Sequence, residues 1–296
     1  MVDRDLAIGF IGIGVLGKGL SLALAGRGYR VTAAHSRRAG SARWLAERLP
    51  GCQAFQSAQD LSDAVDLAFI TTPDSVIQEV AATVNWRPGQ GVVHCCGAAS
   101  TDLLAPAAGG GASTGAFHPF QTFAGLDGPA DAAARLSGVS FAIAGEGWLH
   151  DYLFALALDL GGRPISIADD DRPLYHAVAV LGCGHLVALL QAAVALWQAI
   201  GFSPEEAMEA LYPLSRVTLD NVAKRGLVDS ATGPVMRGDV ITLRSHLEAL
   251  FQRIPELVPL YGNLARASLP LAVRKGIGPD QLSAVEELVD HYVCIE

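Results

Sequence analysis

Short apolar runs alternate with helix-period segments through the first part of the chain. Residues 6–11 are continuously apolar, and a glycine cluster and a helical pattern over 16–25 follow them. The same rhythm gives strands at 29–34, 66–71 and 91–95, with helices at 42–49 and 75–84. Further strands are expected at 115–117, 139–144 and 163–167, with a helix at 147–160 before the last of them. A Gly/Ala/Pro-rich stretch at 105–113 precedes the strand at 115. Strands that alternate with helices imply parallel βαβ units, because parallel neighbours need a crossover connection.

After Asp169-Asp170-Asp171 the pattern changes to helix alone. Helices are expected at 174–200, 204–225, 240–252, 256–269 and 279–293. Ser203-Pro204-Glu205-Glu206 supplies a cap, a first-turn proline and acids at the positive helix end. The expected architecture is α/β, a Rossmann-type, mostly parallel sheet over 1–168, followed by an all-α second domain over 169–296.

Composition narrows the function classes. Hydrophobic residues make up 51% and charged residues 17%, so a sizeable core is available. A net charge of −9 with no basic run argues against a nucleic-acid partner. Five cysteines (52, 95, 96, 183 and 294) show no metal spacing, which fits a reduced, cytoplasmic protein without a metal site. The adjacent Cys95 and Cys96 read as a buried, inert pair. The acidic start Asp3-Arg4-Asp5 does not resemble a signal peptide. Residues 173–204 carry no charge, a length that would suit a membrane span. Their histidines, glutamines and glycines fit better with a central helix buried inside the helical domain or a dimer, so no membrane partner is expected.

The clearest motif is Gly12-Ile13-Gly14-Val15-Leu16-Gly17, between an expected strand and an expected helix. The first glycine permits a tight turn, the second a close approach to a pyrophosphate, and the third close helix–strand packing. The phosphate would meet free N–H groups at the helix start. A glycine-rich turn without a ligand would read the same way in isolation. At the end of the second strand an NAD enzyme would carry an acid for the ribose hydroxyls. Here the chain reads Ser36-Arg37-Arg38, a hydroxyl and two guanidinium groups that suit the 2′-phosphate of NADP. Each charged contact would favour NADP by a factor on the order of 10 to 100, unless these arginines only open a solvated helix. Thr71, Thr72 and Pro73 follow the next strand and should line the cofactor groove. His94-Cys95-Cys96-Gly97 ends the strand after it and should face the nicotinamide.

Hydride transfer leaves the protein a proton to move. His118, in Phe117-His118-Pro119-Phe120-Gln121-Thr122-Phe123, stands past a strand end, either to contact substrate or to pin the loop. His176 and His185 lie nine residues apart, which places them on opposite faces of a straight helix at about 100° per residue. His176, beside the domain junction, is the better candidate. Residues 232–239, Thr-Gly-Pro-Val-Met-Arg-Gly-Asp, form either an anion-holding loop around Arg237 or a helix connection with Asp239 as the cap.

Taken together, the glycine fingerprint, residues 115–123, Tyr175-His176-Ala177 and residues 232–239 resemble one uncharacterised family of predicted NADP oxidoreductases. That family joins a Rossmann-like domain to a helical domain of unknown function. It is more distantly similar to the 6-phosphogluconate and β-hydroxyacid dehydrogenases, to pyrroline-carboxylate reductase and to predicted deazaflavin-dependent NADP reductases. The resemblance implies reduction of a C=O or C=N bond in a small polar substrate held in an interdomain cleft. It also implies a homodimer formed through long helices. His118, His176 and Arg237 would then serve the chemistry, and Gly12, Gly14, Val15, Leu16, Gly17, Ser36, Arg37, Arg38, Thr71, Thr72, Pro73 and Cys96 the cofactor. Where the family usually carries Ser-Asn-Tyr, this chain reads Cys183-Gly184-His185. That departure also admits a non-catalytic NADP-binding sensor or scaffold.

Overall fold

The computed structural model describes residues 4–293, so Asp3 and Cys294 lie outside the described residues. The chain divides into two compact units, Met1–Gly184 and His185–Glu296. This division falls later than the change of pattern at Asp169, because the first helix after that point packs with the first unit.

The first unit is built on eight strands: β1 (Ile8–Ile11), β2 (Val31–His35), β3 (Gln53–Ala54), β4 (Leu67–Ile70), β5 (Gly91–His94), β6 (Ser113–Pro119), β7 (Ser140–Gly145) and β8 (Arg163–Ser166). They form one sheet in the order β3-β2-β1-β4-β5-β6-β7-β8, parallel throughout except at β6–β7. The helices are α1 (Val15–Gly26), α2 (Ala39–Ala46), α3 (Ala58–Asp63), α4 (Ile77–Thr83), α5 (Ala105–Gly109), α6 (Pro129–Ala134), α7 (Gly147–Asp159) and α8 (Arg172–Gly182). Strands β1 and β4 are buried along their whole length, which is why they read as unbroken apolar runs. Phe10 stacks on Phe69 and Phe117 on Phe141, with Phe69 and Phe117 meeting edge to face, through one face of the sheet. Ile11, Ala68, Ile70, Val92 and Leu104 close the other. The order reverses beside β1, between β2 and β4, so the carboxyl ends of β1, β4, β5 and β6 open on a shared crevice edge.

Three short elements escape the pattern: β3, with two residues, and α3 and α6, with six each. Part of the Gly/Ala/Pro-rich stretch folds as α5, with a proline in its first turn.

The second unit is helical: α9 (Gly184–Ala199), α10 (Pro204–Ser230), α11 (Pro234–Arg237), α12 (Val240–Arg253), α13 (Val258–Arg274) and α14 (Pro279–Val293). Its core joins Leu243, Leu247, Ala265, Leu269, Val285 and Leu288. Ser203 and Glu206 complete a reciprocal capping box at the start of α10. Gly226, at φ 81°, breaks the helical path near the end of that element.

The uncharged stretch departs from its expectation in two ways. It is not one helix: Cys183, at φ −125° and ψ −79°, separates α8 from α9. It is also not buried in the chain, for Leu174, Val178, Leu181, Val187 and Leu189 are all exposed. The segment Asp169–Ala199 is long and apolar enough to cross a membrane by length and composition.

Candidate functional site

The turn after β1 gives each glycine of the fingerprint a separate task. Gly12 has φ +97°, and a Cβ there would lie 2.7 Å from the Thr72 amide nitrogen. At Gly17 a Cβ would lie 2.4 Å from the Gly12 carbonyl oxygen and 2.7 Å from Thr71 Oγ1. A Cβ on Gly14, by contrast, would meet nothing within 4 Å. Two glycines therefore serve packing and the middle one leaves open space over the helix start. Gly14 caps α1 without a side-chain bond, and no acid stands in the first turn, so the leading N–H groups keep their positive field. Val15 is exposed at this end and Leu16 half-buried.

Neighbouring strand ends complete the rim. Thr71 donates its amide to the Ile11 carbonyl (2.8 Å) and its hydroxyl to the Gly12 carbonyl, tying β4 to the turn. The Thr72 hydroxyl is buried with no partner among the described residues. Pro73 is exposed. Beyond β2, Ser36 is half-buried while Arg37 and Arg38 are exposed, and among the described residues neither guanidinium has a hydrogen-bond or ion-pair partner.

At the ends of β5 and β6 the site is made of side chains. His94 is fully buried; its Nδ1 accepts from the Cys96 amide (3.1 Å), so Nε2 carries the proton toward the Ser100 carbonyl, also 3.1 Å away. His118 Nδ1 lies 2.8 Å from the Tyr175 hydroxyl, and the two rings meet edge to face at 5.6 Å. The His176 ring stands 6.4 Å from that of His118. Both imidazoles rest on Gly97, where a Cβ would come within 2.8 Å of His118 Nε2 and 2.9 Å of His176 Cδ2.

Burial first, then the Arg172 charge, pull His94 and His118 down to about 4. Both are therefore neutral near pH 7. Burial pushes the Tyr175 phenol up to about 12, so its proton stays on. The bond pairs a protonated phenol with a neutral imidazole; in the tautomer in which Tyr175 donates to Nδ1, the ring proton is on Nε2, the nitrogen on the Gly97 side. The thiols beside this group are inert. Cys95 and Cys96 are buried, and burial raises both above their ordinary value.

The sequence singled out His118 and His176, and the structure brings these two together. Arg237 and His185 belong to the second unit. Arg237 ends the short α11, is exposed, and lies 3.8 Å from Asp239, which caps α12 through the Thr242 amide at 3.1 Å. Arg172 has no place in the expected site, Tyr175 enters it only through the family resemblance, and His94 only as part of the strand end that should face the nicotinamide. A usable signal existed: Arg172, Tyr175 and His176 stand at i, i+3 and i+4 and so share one helix face.

A family model described as a Rossmann-like domain matches residues 1–119, and one described as a domain of unknown function (DUF2520) matches residues 139–268. No curated protein matches the chain in sequence. Among similar solved structures is the protein TM1727 from Thermotoga maritima, with 23% identity, 90% of this chain and 99% of that chain covered, and a TM-score of 0.72. A reductive aminase from Aspergillus terreus, solved with NADPH and ethyl-5-oxohexanoate, shares 15% identity over 97% of this chain and 93% of its own, with a TM-score of 0.61. The 1-pyrroline-5-carboxylate reductase of Streptococcus pyogenes shares 17% identity over 98% and 99%, with a TM-score of 0.57. At these identities the likeness is one of fold.

Proposed function

We propose, for a chain that joins a Rossmann-like domain to the DUF2520 domain, an NADP(H)-dependent oxidoreductase that reduces a C=O or C=N bond of a small polar substrate. One observation carries the cofactor reading: the uncapped start of α1 lies under open space at Gly14, between two glycines that packing requires. Arg37 and Arg38, exposed and unpaired after β2, suit a 2′-phosphate better than a bare ribose hydroxyl. The reductive aminase, solved with NADPH, shares this fold and adds support.

When bound, NADPH supplies the hydride that adds to the carbon of the C=O or C=N bond. The oxygen or nitrogen then takes a proton, and His118 Nε2–H is placed to give it. Loss of that proton is coupled to transfer of the Tyr175 hydroxyl proton to Nδ1, 2.8 Å away, so the ring stays a neutral imidazole and the negative charge is left on the phenolate. A solvent proton taken at Nε2, with return of the Nδ1 proton to the phenolate, restores the starting pair. His176, 6.4 Å away across Gly97, would hold the substrate rather than donate. The apolar side chains exposed on α8 and α9 support a homodimer.

The test is a fluorescence titration with NADPH and NADH side by side, followed by NADPH oxidation over a panel of keto and imino compounds. Tighter binding of NADPH is expected, weakened about 10- to 100-fold per contact by Arg37→Ala and Arg38→Ala, with NADH binding unmoved. A substrate-dependent rate should fall on the order of 10²–10⁴-fold with His118→Ala. If neither nucleotide binds, the reading fails; binding without any turnover leaves a non-catalytic NADP-binding protein.

A further inference from the structure

Behind the two imidazoles a guanidinium is sealed into the first unit. Arg172 is 0% exposed, and its Nη2 donates to the Cys96 carbonyl at 2.9 Å. Nε and Nη1 are buried without a partner among the described residues. No carboxylate forms an ion pair with it there. Asp169, three residues earlier, receives the Thr101 amide (3.1 Å) and hydroxyl on its two oxygens. An unpaired buried cation is costly, so its retention calls for a use. Its one hydrogen bond among the described residues falls on the residue before Gly97, on which both His118 and His176 rest.

We propose that Arg172 is a positioning residue for the His118 proton step: by holding the Cys96 carbonyl, it fixes the turn that seats both imidazoles. The proposal rests on the reading of His118 as the proton donor. Placement supports it. Arg172 opens α8 and Tyr175 and His176 follow at i+3 and i+4, so one helical turn carries the clamp, the phenol that bonds His118 and the second imidazole. Gly97 supports it too, since only a residue without a side chain lets both rings reach the backbone that Arg172 holds. The charge acts on the same pair. After burial, the Arg172 cation is the next cause of the low values of His118 and His94. The other groups that bear on His118 are His176 from α8, His94 from β5 and Asp74 after β4, and of these only Asp74 opposes the cation.

Three variants, Arg172→Met, Arg172→Lys and Gly97→Ala, separate charge from seat. Imidazole NMR on the cofactor-free protein follows the His118 titration and its bond to Tyr175, with thermal melting and NADPH titration as controls. In Arg172→Met the His118 midpoint should rise from about 4 toward the ordinary 6.5, with the Tyr175 bond weakened and NADPH affinity within about twofold of wild type. The Lys variant should return the midpoint but not the full bond. Gly97→Ala should break the bond with the charge still in place. Where a substrate is found, each variant should lower kcat more than it raises KM.

A folded Arg172→Met protein with an unmoved His118 midpoint and an intact Tyr175 bond overturns the proposal. Should that variant fail to fold, the other two decide, and an unchanged His118–Tyr175 bond in both overturns it. These spectra need no cofactor, so a wild type that binds no NADPH sinks the oxidoreductase reading separately.

Discussion

The two ends of the crevice edge are built from different materials. At the β1–α1 turn the working surface is backbone: three glycines, free N–H groups and a helix field. At the β5 and β6 ends it is side chain: His118 against Tyr175, His176 across Gly97, and Arg172 behind them. A backbone site leaves its mark in the sequence as spacing, because glycine is demanded at fixed offsets by sterics. A side-chain site assembled from two strand ends and a helix leaves only scattered residues.

The largest effect should come from the backbone end. Gly17→Ala sets a Cβ 2.4 Å from the Gly12 carbonyl oxygen. Overpacking against backbone should cost about 1–3 kcal/mol of stability, and displacement of the turn should weaken NADPH at least about 100-fold, or roughly 2.7 kcal/mol. Gly14→Ala is its counterpart. Gly14 has φ −82° and free space, so the melting temperature should hold while NADPH still weakens, because the methyl enters the space the phosphate would occupy. Thermal melting with a parallel NADPH titration checks both. Equal losses of stability in the two variants would erase the distinction between packing glycines and a ligand glycine.

What could be read in advance follows the same division. The strands were legible because parallel strands buried on both faces are continuous apolar runs, and β1, β4 and β5 lie within a few residues of their expected spans. The two-residue β3 was not, being too short to have a period. Helix α14 was expected at its observed bounds. The break at Cys183 was hidden because its neighbours, Gly182 and Gly184, weaken a helix without ending it and no proline marks the place. At the site, His118 stood out as a polar ring among aromatics. Tyr175 and Arg172 did not: a tyrosine and an arginine at a helix start ordinarily lie at the surface, and nothing local tells that Arg172 is buried. The expected pairing of a Rossmann-like domain with a helical domain of unknown function is the pairing the chain has.

The side-chain end should show in acid. His94 and His118 are held at about 4 when folded, against 6.5 as the ordinary value. The unfolded chain therefore binds more protons between those limits. The stability linked to these groups is fully present above pH 6.5 and is lost as the pH falls toward 4, by about 3 kcal/mol per group at most. Urea unfolding at pH 7 and at pH 4.5 measures it. His118→Gln should remove its share of the slope; a slope that does not change would mean that His118 protonates freely in the fold. The carboxylates held low by bonding, Asp159, Asp239 and Glu206, start from 3.8, 3.8 and 4.5, so their own loss lies in a lower window.

The smallest effect separates backbone from side chain within a single residue. Cys96 stands where the β5 end should meet the nicotinamide, yet its thiol is buried and held protonated, while its carbonyl receives Arg172 and its amide donates to His94. If the residue acts through its main chain, Cys96→Ala should keep NADPH affinity within about twofold, or roughly 0.4 kcal/mol, and cost about 1 kcal/mol in packing. Iodoacetamide followed by mass spectrometry gives a second check. Cys52, Cys95 and Cys96 are buried and should react only on unfolding. A tenfold loss of NADPH binding in Cys96→Ala, or rapid alkylation of native Cys96, would assign the contact to the thiol. The side-chain end of the crevice would then reach one residue further toward the cofactor than the backbone geometry implies.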